Sequence, residues 1–421
     1  MVQEMLTSLI AKAKNERGVT AVVVALVLFP LVALTALAID IGHLYVVDNE
    51  LQNAADAGAL AGARYLYNDD GTLVNTGANL IAHDAAIANR SENSPVEVNW
   101  SGGNSGDVQR GHWSFVTRTF TPNASTDPVD LWNVSWEDLD SNTDFINAVR
   151  VRTRREGTPA ASFFARIFGY EGFGLNSEAV AYLGFAGSLT PFDVDQPIAI
   201  CRESILQGNE YSCNVGRMIN SGGDITTHQT GGWTNLSQDS ACTGGTNAQE
   251  VRSLVCGDGN PDVLRLGDDM ATSGGDIQSA FNELIACWKS ETGQVQPWNM
   301  TLPVVTCPGN NVGTCEELRG AVNVNVVWIT EAGEDPAYDN APTQMAGLED
   351  VVAPWASADP SGENRWNSFV QHFNLVNVDG TPVPYAKKSI YFLPDCTAHE
   401  PGGVSGGENF GIQAEIPVLV Q

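Results

Sequence analysis

Asp258, Asn260 and Asp262 stand at alternate positions in "DGNPDVLRLGDD", with Asp269 at the twelfth place, and their oxygens have the spacing with which loops hold calcium. The sixth position, which needs glycine for the turn, is Val263, and the twelfth is aspartate where glutamate would bind bidentately. The pattern fits an Asx-rich turn better than a cation site, so these four residues make only a weak calcium candidate. "GNSGD" (Gly103–Asp107) has the outline of a serine-protease loop but reads more simply as a Gly/Ser hairpin turn. The histidines are scattered (His43, His83, His112, His228, His372, His399), and neither H-E-x-x-H nor G-x-S-x-G occurs. An echo, "MINSGGDI" at Met218–Ile225 and "MATSGGDI" at Met270–Ile277, carries a double glycine without a Lys-Ser/Thr pair to hold phosphate. A turn and cap explain it, with Asp276 capping a helix over Ile277–Lys289. These residues point to no catalytic chemistry, no metal, no cofactor and no small-molecule substrate.

The cysteines say more. All eight (Cys201, Cys213, Cys242, Cys256, Cys287, Cys307, Cys315, Cys396) lie after residue 200, in glycine-rich sequence beyond an apolar segment. An even count with no C-x-x-C spacing reads as disulfides formed in an oxidising compartment, not as a metal site. Sequence leaves the connectivity open; the local loops Cys201/Cys213 and Cys242/Cys256 are the simplest expectation. The net charge of −29 argues against nucleic acid as a partner, because phosphate binding needs clustered Lys and Arg. Most of that charge lies after residue 187, on what reads as a solvated extracytoplasmic surface.

These features need a scaffold, which begins with "VTAVVVALVLFPLVALTALAI", 21 residues from Val19 to Ile39 without a charge. As a helix it spans about 30 Å, the hydrocarbon thickness of a bilayer. Lys12, Lys14 and Arg17 precede it while Asp40, Asp48 and Glu50 follow, so the N-terminus is expected inside and the bulk exported. Three fates are open to the segment. It can be a permanent anchor, or a secretory signal cut at Ala36-Leu37-Ala38, although its apolar run is long for one. It can also be processed like a type IV prepilin, between Gly18 and Val19, although Val23 stands where pilins generally carry glutamate.

Beyond the run, "AIDIGHLYVVDNELQNAADAGALAGARYL" (Ala38–Leu66) keeps a helical period in Ile41, Leu44, Val47, Leu51, Ala54, Ala55 and Gly58. Ala54, Gly58 and Gly62, four apart, form a flat seam that admits another backbone closely. The seam packs either on this protein's own globular part or on a helix of another protein. Membrane helix and seam helix together predict one rod on the order of 70 Å long. A second helix follows over 72–90, with Leu73, Gly77, Leu80, Ile81 and Ile87 on its apolar side.

From 96 to 186, "VEVNW", "GHWSFVTRTF", "NAVRVRTRR" and "NSEAVAYLGF" read as strands, and "SFFARIFG" (Ser162–Gly169) as a short helix between the last two. Alternation puts Val149, Val151 and Thr153 on one strand face and Arg150, Arg152 and Arg154 on the other. That basic face is either solvated or docks an acidic partner, such as the acidic C-terminal half itself. "AVNVNVVWIT", "KKSIYFL" and "AEIPVLV" add strands later.

Two blocks in order, Ala38–Leu66 and "NAVRVRTRREGTPAASFFARIFGYEGFGLNSEAVAYL" (Asn147–Leu183), resemble the N-terminal region of TadG-like proteins of the TadE/TadG family, from the Tad (Flp-type) pilus-assembly systems of bacteria. The resemblance covers about the first 185 residues. It implies an inner-membrane-anchored, periplasm-facing component that builds or braces an adhesive pilus, with other pilus-assembly or pilin-like proteins as partners and no catalytic residues. Many TadG-like relatives also carry a von Willebrand A domain with a D-x-S-x-S metal site; this chain has no D-x-S-x-S.

The expected architecture is α+β. Residues 1–18 form a cytoplasmic N-terminus and 19–39 a single transmembrane helix. Residues 40–186 form a pilin-like module, its long helix packed on a small antiparallel sheet. Residues 187–421 form an acidic, β-rich, disulfide-stapled domain. The expected function is structural: a membrane-anchored assembly component acting by protein–protein contact, or alternatively a subunit or tip adhesin of the filament, with a secreted hydrolase the remotest option.

Overall fold

The apolar run and the small-residue stretch after it fold as one helix, α1 (Val2–Arg64), 63 residues long, with Pro30, Gly18 and Val19 all inside it. At 1.5 Å per residue it extends about 95 Å. The computed structural model describes residues 2–421 except 69–70, 72, 133, 208–209, 213–215, 221–230, 239–241, 243–245, 275–276, 309–311, 331–341, 343–361, 378–379 and 396–402. Between Val22 and Ile39 the large apolar side chains of α1 are exposed, and this part is long and apolar enough to cross a membrane. From Val47 onward one side is buried: Val47, Leu51, Ala54, Ala55, Ala59 and Ala63 have no accessible surface.

Against that side lie a short second helix, α2 (Ala78–Ile87), and an antiparallel sheet. The sheet is built from β1 (Val108–Ser114), β2 (Thr119–Pro122), β3 (Ala148–Ala161) and β4 (Gly172–Tyr182). β3 has β1 on one edge and β4 on the other, and β2 pairs with the outer side of β1. "VEVNW" does not form a strand; it contributes an isolated bridge, Glu97 to Arg154. "SFFARIFG" contains a single 3₁₀ turn, Ala165–Phe168. The alternation in β3 is as its sequence implies, with Val149, Val151 and Thr153 buried and the three arginines half-exposed.

The apolar side of α2 is the reverse of the one expected. Ala78, Asn79, Ala82 and Ala86 face inward, while Leu80 and Ile87 are exposed. The cause lies on α1, whose glycines bring the two helices so close that only alanine fits between them.

Glu97 closes the module at the β3 bulge. Its carboxylate accepts hydrogen bonds from the N–H of Glu156 (3.1 Å), Gly157 (2.7 Å) and Thr158 (2.7 Å) and from the Thr158 hydroxyl (2.7 Å). Burial works against its charge, but the Thr158 hydroxyl and the three N–H groups outweigh it and hold the carboxyl below its ordinary value of 4.5. A depressed carboxyl contributes stability above its unfolded pKa and loses it as pH falls through the folded pKa. Glu97→Gln should therefore flatten the acid side of the stability curve below about pH 4.5 and leave its shape near neutrality unchanged. Thermal melts of the full chain across that range would reject this if both proteins lost stability in parallel.

The chain leaves the first sheet through β5 (Phe185–Leu189), so residue 187 falls inside a strand. It then builds β6 (Ile198–Cys201), β7 (Gly231–Thr234), β8 (Asp269–Ser273), helix α3 (Gln278–Thr292), β9 (Trp298–Val305) and the long β10 (Cys315–Ile329). Helix α4 (Gly362–His372), β11 (Ser389–Pro394), β12 (Val404–Gly407) and β13 (Val418–Leu419) follow. β10 pairs with β8 through its first residues, with β9 through its middle and with β11 through its end, and β8–β7–β6–β9 complete a ring. α3 and α4 cover it with a core that includes Phe281, Trp288, Trp366 and Phe369. β12 pairs with β5, and β13 returns to β4 of the first sheet, so the two regions of sequence share strands.

The ring decides the disulfides, and the local loops expected for Cys201 and Cys242 do not form. Cys201 pairs with Cys307, Cys242 with Cys315 and Cys256 with Cys287. β6 and β9 run parallel with Val305 beside Cys201, which sets Cys307 next to it; the partner is chosen by sheet register and not by distance along the chain. Cys213, Cys396 and the cap residue Asp276 lie outside the described residues.

Candidate functional site

α1 and β3 lie side by side in opposite directions, which carries the end of β3 back to where the apolar half of α1 stops. The Tyr67 hydroxyl donates to the Ile146 carbonyl at 2.7 Å and the Thr153 hydroxyl to that of Leu51 at 2.9 Å. At the end of this series Asp40 meets the loop after β3. Its carboxylate accepts from the N–H of Phe163 (2.9 Å), Phe164 (3.1 Å) and Ala165 (2.7 Å) and from the Ser162 hydroxyl (3.3 Å). Asp40 is the first charged residue after the apolar run, and it is buried. The sequence names it only as a charge; its role as the pin between helix and loop depends on a contact more than 120 residues away.

The seam residues are all in contact with this protein's own module. Ala54 packs with Val47, Leu51, Val96 and Ala160. A Cβ on Gly58 would stand 2.9 Å from both the Ala82 carbonyl oxygen and the Ala86 Cβ, and one on Gly62 would stand 2.7 Å from the Ala82 Cβ and 2.9 Å from a Val149 methyl. The seam is the bed of α2 and β3.

The basic face of β3 meets carboxylates from its neighbours. Arg152 pairs with Glu178 at 2.8 Å, and Arg150 lies 3.9 Å from the same carboxylate with its guanidinium over the Phe120 ring. Arg154 holds buried Asp107 through two hydrogen bonds of 2.6 and 2.7 Å, and Glu156 at 2.9 Å. Those bonds to Asp107 push the Arg154 guanidinium above its ordinary range. Much of the positive charge of this stripe is therefore met inside its own sheet.

At the calcium candidate, Asn260 is fully buried and its side chain is used on backbone. Its Oδ1 accepts from Val194 N–H, and its Nδ2 donates to the carbonyls of Thr190 and Asp262, all within 2.9 Å. Asp269 sits on β8, opposite Glu317 of β10. Among the described residues no group of three or more His, Cys, Asp or Glu side chains is placed to hold a metal. A cleft of about 460 Å³ opens between module and ring beside Phe115, Trp136, Tyr182 and Leu206. Its Arg202 and Glu408 are paired with one another at 2.5 Å, and Arg319 also binds Glu408 at 2.6 Å.

The outer end of the β3–β4 loop is the feature that sequence reading missed. Phe163, Ile167, Phe168 and Tyr170 are exposed there, beside Arg166. The signal was present as an aromatic-rich turn without apolar alternation, and nothing local says which of those rings stay uncovered.

Two family models match the chain in succession. Residues 18–64 match a TadE/G-like Flp pilus-assembly model, and residues 61–181 match a Tad-like Flp pilus-assembly model. Together they span the exposed apolar helix, its buried continuation and the sheet through β4. No curated protein and no solved structure matches the chain.

Proposed function

From the match of residues 18–181 to Tad-like Flp pilus-assembly models, we propose that the protein takes part in pilus assembly as a single-pass inner-membrane component whose bulk stands in the periplasm and works by protein–protein contact. The observation that carries this is the continuous α1: an apolar half that none of the described residues covers runs without a break into a half wrapped by its own sheet. Such a rod holds the module at a fixed height above the bilayer. The positive residues before the apolar run favour a cytoplasmic N-terminus, and the disulfides favour an oxidising compartment for the ring domain. With the seam filled from within, partner contact falls to the outward faces of the module and to the acidic surface after residue 187. The work is mechanical, not catalytic.

The test is the N-terminus and intact mass of the native protein, measured separately in inner-membrane and sheared-surface fractions, with pilus production scored after deletion. A start at or near Met1, confined to the membrane, with pili lost on deletion, is the expected result. A start at Val19 in sheared material would replace this reading with that of a filament subunit or tip adhesin, which Gly18 before the apolar run would then explain. A start at Ile39 in soluble material would mean a released protein and end the anchor.

A further inference from the structure

The loop between β3 and β4 lies at the level where α1 is read as leaving the hydrocarbon. Asp40, directly after the apolar run, takes the N–H groups of Phe163, Phe164 and Ala165. The loop cannot drift from that level without breaking a buried carboxylate's hydrogen bonds. Beyond the pin it turns outward four large apolar side chains: Phe163 at 48%, Ile167 at 75%, Phe168 at 76% and Tyr170 at 61% of full exposure. The exposed side chain of Arg166 stands among them. α1 adds exposed Ile41 and Tyr45 just past Asp40. An apolar patch of this density is unusual on a surface that faces water. Aromatic rings mixed with a basic residue are instead the composition of the interface between headgroups and acyl chains.

We propose that Phe163–Tyr170 is a foot that inserts into the periplasmic interface of the bilayer that α1 crosses, with Phe163, Ile167, Phe168 and Tyr170 among the acyl-chain ends and Arg166 at the phosphates. The occupant of the patch is lipid, argued from its continuity with the apolar half of α1. The module is then held at two points, the helix and the foot, which fixes its tilt and rotation above the membrane and not only its height. Asp40 is a positioning residue that joins the two. The inference rests on the reading of residues 19–39 as membrane-spanning.

The experiment uses the full chain in nanodiscs of phosphatidylethanolamine and phosphatidylglycerol. Phe168→Cys, Val32→Cys and Val116→Cys each carry an environment-sensitive fluorophore, and unsubstituted protein labelled in parallel sets the background. Val116 is exposed in the β1–β2 turn, at the end of the sheet away from the foot. Nitroxide lipids are expected to quench Phe168→Cys several-fold more than Val116→Cys when the nitroxide is shallow, and Val32→Cys most when it is deep; aqueous iodide should reverse the order. Adding Asp40→Ala should lower the quenching at Phe168→Cys and leave Val32→Cys unchanged. If Val32→Cys is quenched but Phe168→Cys behaves like Val116→Cys, the foot is wrong and the anchor stands. If Val32→Cys is not quenched, the anchor fails and the foot with it. Quenching at Phe168→Cys that survives Asp40→Ala would remove Asp40 as the pin.

Discussion

Replacing Cys201 and Cys307 together with alanine is expected to destabilise the ring domain by about 5 kcal/mol, in a measure such as urea unfolding of the full chain. The two cysteines are 106 residues apart, and cross-linking a loop of that length restricts the unfolded chain by about 4.7 kcal/mol in the chain-entropy model. The bond also sits at one of the short joints of the ring. β6 and β9 meet through a parallel register of two pairs, Val304 with Ile200 and Val305 with Cys201, where the other joint of β9, with β10, is an antiparallel ladder eight pairs long. Both cysteines are buried, so their loss removes packing as well as the tether. Cys256 and Cys287, only 31 residues apart, provide the internal comparison, and the same model puts their removal about 1 kcal/mol lower. If the shorter link proved the costlier to lose, constraint of the unfolded chain would not be what these bonds supply.

That pairing also marks where sequence stopped being sufficient. Rod and strand faces are matters of local periodicity: one helix runs through Val19–Ile39 and on to Arg64, starting at Val2 and so longer than the rod expected from residue 19, and Val149, Val151 and Thr153 lie opposite the arginines. The disulfides depend on which strands adjoin, and a contact between Cys201 and Cys307 exists only once β9 has paired with β6. The same limit explains α2. Leu80 and Ile87 look like its core face until α1 supplies a groove too narrow for them, and burial then passes to Ala82 and Ala86. Spacing alone makes Asn260 an oxygen ligand for a cation, but its amide is taken by the backbone of Thr190, Asp262 and Val194, which no local pattern shows. Asp40 and the aromatic loop meet the same limit: sequence shows one only as a charge after the apolar run and the other only as an aromatic-rich turn, and their meeting belongs to the α1–β3 alignment.

Gly62→Leu is expected to be the most damaging single change in the module, costing about 3 kcal/mol or more. Leucine there has no space to relax into, since a bare Cβ already comes within 2.7 Å of the Ala82 Cβ and 2.9 Å of Val149. Gly62→Ala separates crowding from helix propensity. In an open helix the change from glycine to alanine gains about 1 kcal/mol. At Gly42, where a Cβ would meet nothing within 4 Å, that gain should appear as a raised melting temperature. At Gly62 the contact is expected to reverse its sign, so the two Gly→Ala variants of the full chain should move in opposite directions. Equal shifts at both positions would mean that α2 yields freely and that the close approach is not tight. The comparison also sets how a loss of pili is to be read. Ala54→Leu and Gly58→Leu are the changes that would block a partner's helix from the seam, but α2, β3 and their surroundings already occupy it. Lost pili in those variants, accompanied by a melting temperature lowered as for Gly62→Leu, would report a broken module and not a broken interface.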